Sequence, residues 1–433
     1  MSTKKTVLKN FFSLSFSEVI SNGLKFVSVI YLARSLGAEG FGKINFATAI
    51  LAYFMLLVNL GLNTYGIREI ARDKEGMKKY INNILTIKLL SSVFVFLLVV
   101  VFVYFLPKPP EIKKLILFFG FSLFTFSFTI DWVFMGIQRM EYIALAHITQ
   151  NLLYVASIVS LIKMPDQVLS VPFLQVGSAL VAVLILMTVF VKKYGSFHLD
   201  FDFNFWKHIL RQSFPMALSV IAIQIYLNFD TVMLGFMKSD GDVGWYNAAY
   251  KVIIALLLIG SIYYNTIFPV MSDLYKKSVE KLKHLMQFTL SLMILVIVPM
   301  LILGTIFAAQ IIGLIYGDGY QESVVVFQIL LWSVAAVLLN GLFGRCLLGC
   351  DRQKYYLLCV SAGTLVNLIL NFILIPPLGI KGAAMATVAA ETTVLVTFYF
   401  GTRRIVMLSP REFFSFSLFR RDAKEVWNLI KHR

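Results

Sequence analysis

Apolar residues along this chain gather into long runs, and short polar stretches rich in Lys and Arg separate them. Twelve runs can be drawn, at 12–33, 40–63, 83–106, 115–137, 143–163, 167–191, 213–237, 245–272, 285–308, 322–348, 355–376 and 380–401. Each is long enough to cross a hydrocarbon layer about 30 Å thick as a helix. No alternating pattern of comparable length competes with them. The expectation is an all-α polytopic membrane protein with twelve transmembrane helices.

The first run does not read as a simple lipid-facing span. It carries Glu18, Asn22 and Lys25, spaced i, i+4, i+7, and at about 100° per residue these share one helical face. A lone ionisable group at the bilayer centre costs at least ~2.5–3.5 kcal/mol. The stripe therefore predicts neighbours that enclose a wet cavity. Other ionisable groups placed inside runs are Lys88, Asp131, Asp230, Lys251, Arg345 and Glu391. Polar residues at helical spacing accompany them: Gln224 and Asn228, then Thr364, Asn367 and Asn371, then Thr387 and Glu391. Single Asn and Thr residues in such positions commonly do no more than join helices by hydrogen bonds.

Charge placement gives the orientation. Arg68, Arg72, Lys74, Lys78 and Lys79 lie in 64–82; Lys192, Lys193, Lys207 and Arg211 in 192–212; Lys276, Lys277, Lys281 and Lys283 in 273–284. With Arg403, Arg404 and the basic tail, all fall on the side of the N-terminus if twelve spans alternate. The loops on the other side are short and poorer in cations. The positive-inside rule then puts both termini in the cytoplasm of a multi-pass cytoplasmic (inner) membrane protein.

Composition agrees: 59% of the 433 residues are hydrophobic and 14% charged, against about 25% charged in an ordinary soluble domain. The net charge of +16 is accounted for by the basic loops, so no nucleic-acid partner is expected. Lys4, Lys5 and Lys9 precede a run of full spanning length, so no separate cleavable signal is expected. Cys346, Cys350 and Cys359 read as small apolar helix residues, with no metal or cofactor expected. No phosphate-binding GxxxxGK[ST], no GxSxG and no HExxH is present, and the short outer loops offer little room for a polymerase or ligase site.

A faint internal repeat appears on shifting the chain by about 202, which brings Gly42 onto Gly244, Asn45 onto Asn247 and Ala47 onto Ala249. The expected organisation is two six-helix lobes around a central cavity. An N-terminal lobe occupies 1–191 and a C-terminal lobe 213–401. A cytoplasmic interfacial linker at 192–212 joins them, and a basic amphipathic cytoplasmic tail follows at 402–433. The linker alternates apolar and polar residues (HLDFDFNFW) before a helix-like KHILRQ.

Several blocks carry a resemblance: YLARSLGAEGFG (31–42), NLGLNTYGIREIA (59–71), DWVFMGIQ (131–138), NFDTVMLG (228–235), VGWYNAAYK (243–251), FPVMSDLY (268–275) and PPLGIKGAAMATVAAE (376–391). In these the chain resembles the polysaccharide flippases of the multidrug/oligosaccharidyl-lipid/polysaccharide exporter superfamily, the O-antigen and capsule type more than the drug-efflux type. The resemblance implies alternating access and a substrate of undecaprenyl-pyrophosphate-linked oligosaccharide. That substrate would move from the inner to the outer leaflet, with polysaccharide polymerase machinery as a partner. Members that flip the peptidoglycan precursor usually carry two helices beyond twelve, which counts against that role. Cations in the first-span stretch of related flippases are thought to hold the pyrophosphate, and Lys25 and Arg34 are the nearest positions here.

The expected substrate-binding set is Lys25, Arg34, Lys88, Lys251, Arg345, Asn228 and Asn367, because cations in a membrane cavity suit a phosphate. Glu18, Asp131, Asp230 and Glu391 are the expected coupling set, for a proton or a sodium ion. The rival reading is a cation-coupled multidrug exporter of the same fold, which predicts an acid-dominated cavity.

Overall fold

The computed structural model describes residues 3–407, and side chains throughout except at 3–17, 218–219, 222–223 and 259. The basic tail expected at 402–433 lies outside the described residues from position 408 onward. The described residues form helices and connecting turns only, with no strand among them. Among the described residues ten helical stretches are long and apolar enough to cross a membrane, Pro110–Gly136 counted as one.

The longest of these, Glu18–Asn59, covers the first two expected runs. It belongs to α1 (Thr3–Asn59), whose side chains are described from Glu18 on and which breaks at Gly37, φ +67°. That left-handed backbone suits glycine, which has no Cβ to clash. Groups on both sides of the break are tied to turns expected on the outer side. Tyr31 Oη donates to the carbonyls of Val159 (3.1 Å) and Ile162 (2.8 Å). Lys43 pairs with Glu39 (2.8 Å) and Glu111 (2.7 Å). The chain thus turns at Gly37, and the second limb has roughly 33 Å of helix to return across the layer at 1.5 Å per residue.

Two compact units are present. The first runs to Gly235 and includes Ser239–Gly244; the second comprises Phe236–Lys238 and the chain from Trp245 onward. In the first, α2 (Leu62–Arg72) buries Leu62, Tyr65, Gly66 and Ile70 and turns Arg72 outward. It is an amphipathic helix beside the membrane layer, where the reading of the sequence had only a basic loop. α3 (Met77–Phe105) follows, with Phe94, Leu97, Val101 and Phe105 exposed along one side. Such a row is what lipid-facing helix surface requires.

The expected fourth run is not one helix. It is α4 (Pro110–Gly120), α5 (Ser122–Ser127) and α6 (Asp131–Gly136). α7 (Met140–Leu161), a 3-10 turn at Pro165–Ser170 and α8 (Val171–Tyr194) complete the expected first six runs. α7 packs on α1 and α8. Residues 195–202 are non-helical, and α9 (Phe203–Met237) takes in both the KHILRQ stretch and the seventh run as one helix. α10 (Asp240–Lys277) covers the eighth.

In the second unit α11 (Val279–Ile306) is followed by a short α12 (Ala308–Tyr316) that the run pattern did not foresee. α13 (Glu322–Gly349), α14 (Gln353–Leu378) and α15 (Ile380–Val406) are the last three spans. α15 packs against both α13 and α14. Cys346, in the last turn of α13, and Cys350, just past its end, have sulfurs 3.9 Å from each other.

Candidate functional site in the first unit

The break in the fourth span creates the site. Between α5 and α6 the backbone leaves helical geometry at Phe128 to Ile130. A carbonyl freed in this way cannot stay bare at membrane depth. Lys88 of α3 supplies the donor. Its ammonium lies 3.3 Å from the Thr129 carbonyl and 3.3 Å from Asn63 Oδ1, and 4.8 Å from the centroid of the Phe126 ring. The side chain is fully buried. Lys88, expected in the substrate-binding set, thus directs two donors at protein acceptors.

Asp131, two residues past Thr129, is the nearby charge that bears on this ammonium. A buried ammonium needs such a partner, because an uncompensated one is strongly destabilising. The Asp131 carboxylate is shared further. His147 of α7 places Nε2 at 2.9 Å from Oδ2, while Oδ1 is buried without a hydrogen-bond partner. Lys88 and Asp131 are thus brought together, and Asn63, Thr129 and His147 join them.

A cavity of about 280 Å³ opens beside this group, lined among others by Thr125, Thr129, Asp131, His147, Gln150 and Gln175. The arrangement sets a carboxylate and an imidazole in hydrogen-bond contact at the edge of this cavity, with the Lys88 amine bonded two residues away at Thr129. His147 was passed over in the sequence as one of five scattered histidines. Its signal was its place inside an apolar run.

The remaining expected residues are spread out. Glu18 and Lys25 are exposed, and Asn22 is half-buried. The polar stripe of the first span thus lies on the surface of its unit. Arg34 is exposed, four residues before the break at Gly37. Asp230 is buried, and Asn228 Nδ2 donates to the Gln224 carbonyl (3.1 Å) and to its Oε1 (3.0 Å).

In the second unit Asn340 Nδ2 donates to Glu391 Oε2 (2.9 Å) and to the Glu391 carbonyl (3.1 Å). Arg345 donates to Asn265 Oδ1 at 2.9 Å and stands 5.7 Å from the centroid of the Phe268 ring. Asn367 is buried in α14 and accepts from Asn371 Nδ2 at its carbonyl (2.9 Å). Lys251 is half-buried, and its ammonium meets no partner among the described residues.

Fold and site together define an all-α polytopic membrane protein with ionisable groups held inside its spans. A multidrug resistance MATE family transporter of the MOP superfamily, solved inward-facing, superposes with TM-score 0.73 at 15% identity, covering 92% of this chain and 98% of its own. The lipid II flippase MurJ, inward closed, gives 0.72 at 15% identity, covering 96% and 91%.

Residues 7–275 match the polysaccharide biosynthesis protein family, and this chain belongs to it. Residues 215–373 also match the MatE model. The capsular polysaccharide biosynthesis protein CapF of Staphylococcus aureus is 23% identical over 413 residues, covering 92% of this chain and 100% of its own. A protein of Haloferax volcanii named as a low-salt glycan biosynthesis flippase, Agl15, is 23% identical over 415 residues, covering 89% and 82%. One of Escherichia coli K12 named as an O-antigen transporter is 23% identical over 369 residues, covering 84% and 89%.

Proposed function

We propose that this protein is a flippase, not an enzyme, and that it carries lipid-linked oligosaccharide units across the cytoplasmic membrane from the inner to the outer leaflet. Family membership and relatives named for O-antigen, capsule and glycan transport support this reading. The observation that carries it is the Lys88–Asp131–His147 group at the broken fourth span. Ionisable groups inside a span are costly and by default mark a functional site.

The headgroup we assign is the pyrophosphate of an undecaprenyl carrier. Lys25 and Lys251 keep ammonium groups without protein partners among the described residues, as an anion-binding cation must before its ligand arrives. Arg34 and Arg345 add positive charge, and Asn228 and Asn367 add amides for the sugars. Glu18, Asp131, Asp230 and Glu391 are the coupling carboxylates, titrated by a proton or occupied by sodium. A coupling ion biases the two access states only through unequal affinity for them. Both termini are assigned to the cytoplasm, the six-helix lobes to 1–191 and 213–401, and a polysaccharide polymerase to the receiving side.

The test is transport of a fluorescent undecaprenyl-pyrophosphate-linked oligosaccharide in proteoliposomes, read by loss of signal to a membrane-impermeant quencher. Protein-dependent flipping is expected, slowed by Lys25→Ala. Flipping no faster than in protein-free vesicles, with the protein folded, overturns the reading.

A further inference from the structure

The stretch between α8 and α9 is fastened to α3 in a regular way. His198 N donates to Asn82 Oδ1 (3.1 Å) and Asp200 N to Thr86 Oγ1 (3.0 Å). Asn83 Nδ2 donates to Asp200 Oδ2 (3.0 Å), and Trp206 Nε1 to Asn83 Oδ1 (2.8 Å). Asp202 Oδ1 accepts from Phe205 N (2.9 Å) at the start of α9. Both carboxylates of the stretch are thus engaged with the protein. The residues in between point away: Leu199 is 46% exposed, Phe201 55% and Phe203 72%.

Leu199 and Phe201 stand two apart on the non-helical stretch and Phe203 opens α9, and the three are exposed together as one apolar row. Cations flank it. Lys192, Lys207 and Arg211 are exposed. Lys193 is engaged with Tyr142, and Lys79 stands 4.3 Å from the centroid of the Phe205 ring. Tyr194, His198 and His208 also lie along the segment. The segment lies against the first turns of α3, the end of a span whose later residues are lipid-facing.

We infer that this segment is a binding surface for anionic phospholipid of the cytoplasmic leaflet. Leu199, Phe201 and Phe203 enter the headgroup boundary, and Lys192, Lys207 and Arg211 meet the phosphates. The engagement of Asp200 and Asp202 with the protein matters here. It turns the two carboxylates toward the protein while each keeps its charge, and Lys192, Lys193, Lys207 and Arg211 outnumber them along the segment. An apolar row beside cations is the combination that holds a segment at an interface. This surface is separate from the site proposed for the transported lipid.

Trp206 reports on it, since its ring stands 5.9 Å from Phe201 and 5.0 Å from Phe203, centroid to centroid. The full chain is placed in nanodiscs of phosphatidylglycerol or phosphatidylcholine brominated near the headgroup end of the acyl chain. The Trp206 signal is the difference between the protein and its Trp206→Phe variant. Quenching by both lipids is expected. In mixed discs phosphatidylglycerol is favoured by about fivefold for each cation engaged, and this preference is lost at high salt and in Lys192→Gln/Lys207→Gln/Arg211→Gln. Absence of quenching by either lipid, with quenching by aqueous acrylamide, overturns the proposal and points to a protein partner or bare solvent. Equal quenching by the two lipids, unchanged by salt, overturns the anionic preference. Both readouts use the unmodified segment and do not depend on transport.

Discussion

Gly42 and Gly244, superposed by the 202-residue repeat offset, lie backbone to backbone in the first unit. A Cβ on Gly42 would stand 2.8 Å from the amide nitrogen of Gly244 and would run into the Asp240 carbonyl. A Cβ on Gly244 would run into the carbonyl of Ala38. The obstructing atoms are backbone, so no side chain can rotate aside. Gly42→Ala is expected to lower stability by about 1–3 kcal/mol, and Gly244→Ala by a similar amount. Thermal unfolding of the purified protein in detergent checks both. Wild-type stability in either variant would show that the contact is loose.

The Lys88 group gives a coupled pair of outcomes. Lys88→Met strands Asp131 and leaves the Thr129 carbonyl without its donor, at a cost of about 3–5 kcal/mol. Asp131→Asn leaves the ammonium uncompensated. The double variant is expected to lose less than the sum of the two, by about 0.5–3 kcal/mol. Simple additivity in a double-mutant cycle of melting temperatures would refute a shared electrostatic unit.

Lys251 contrasts with Lys88. Its ammonium is half-buried and has no protein partner among the described residues, so Lys251→Met, which removes an uncompensated charge, is expected to leave stability unchanged or raise it. Loss of a charge-assisted bond to the transported headgroup would cost about 1.5–3 kcal/mol, a slowing of roughly tenfold or more. Transport at the wild-type rate in the proteoliposome assay would remove Lys251 from the substrate site.

In α2, burial raises the pKa of the Tyr65 hydroxyl to about 12, with the Glu69 carboxylate adding to the effect. The folded state thus holds the proton more tightly than the unfolded chain does. The associated stability is complete below about pH 10 and is lost as pH rises toward 12. Tyr65→Phe cannot titrate there, so the gap in melting temperature between the two proteins should narrow or reverse between pH 9.5 and 11.5. A gap independent of pH would contradict the burial of this hydroxyl.

Much of the fold was open to reading in the residues themselves. Run length and basic loops identify the spans, and the turn at Gly37 falls in the gap left between 33 and 40. The break in the fourth span was not open in this way. FGFSLFTFSFTIDW holds no proline and reads as continuous helix, and the donor that meets the opened Thr129 carbonyl comes from a lysine on another span. The partners of the charges were hidden for the same reason. Nothing near Glu391 in sequence points to Asn340, and nothing near Asp131 points to His147. Likewise Asn82, Asn83 and Thr86 are unremarkable helix residues until the segment after α8 is laid against them.

The interrupted fourth span bears on biogenesis. A segment with an exposed peptide oxygen is a poor candidate to partition alone from the translocon into lipid, and so is a segment with a lysine amid its leucines. Each carries what the other lacks. The two should therefore be retained and released together, the earlier one waiting for roughly forty more residues of synthesis before both enter the bilayer as a pair.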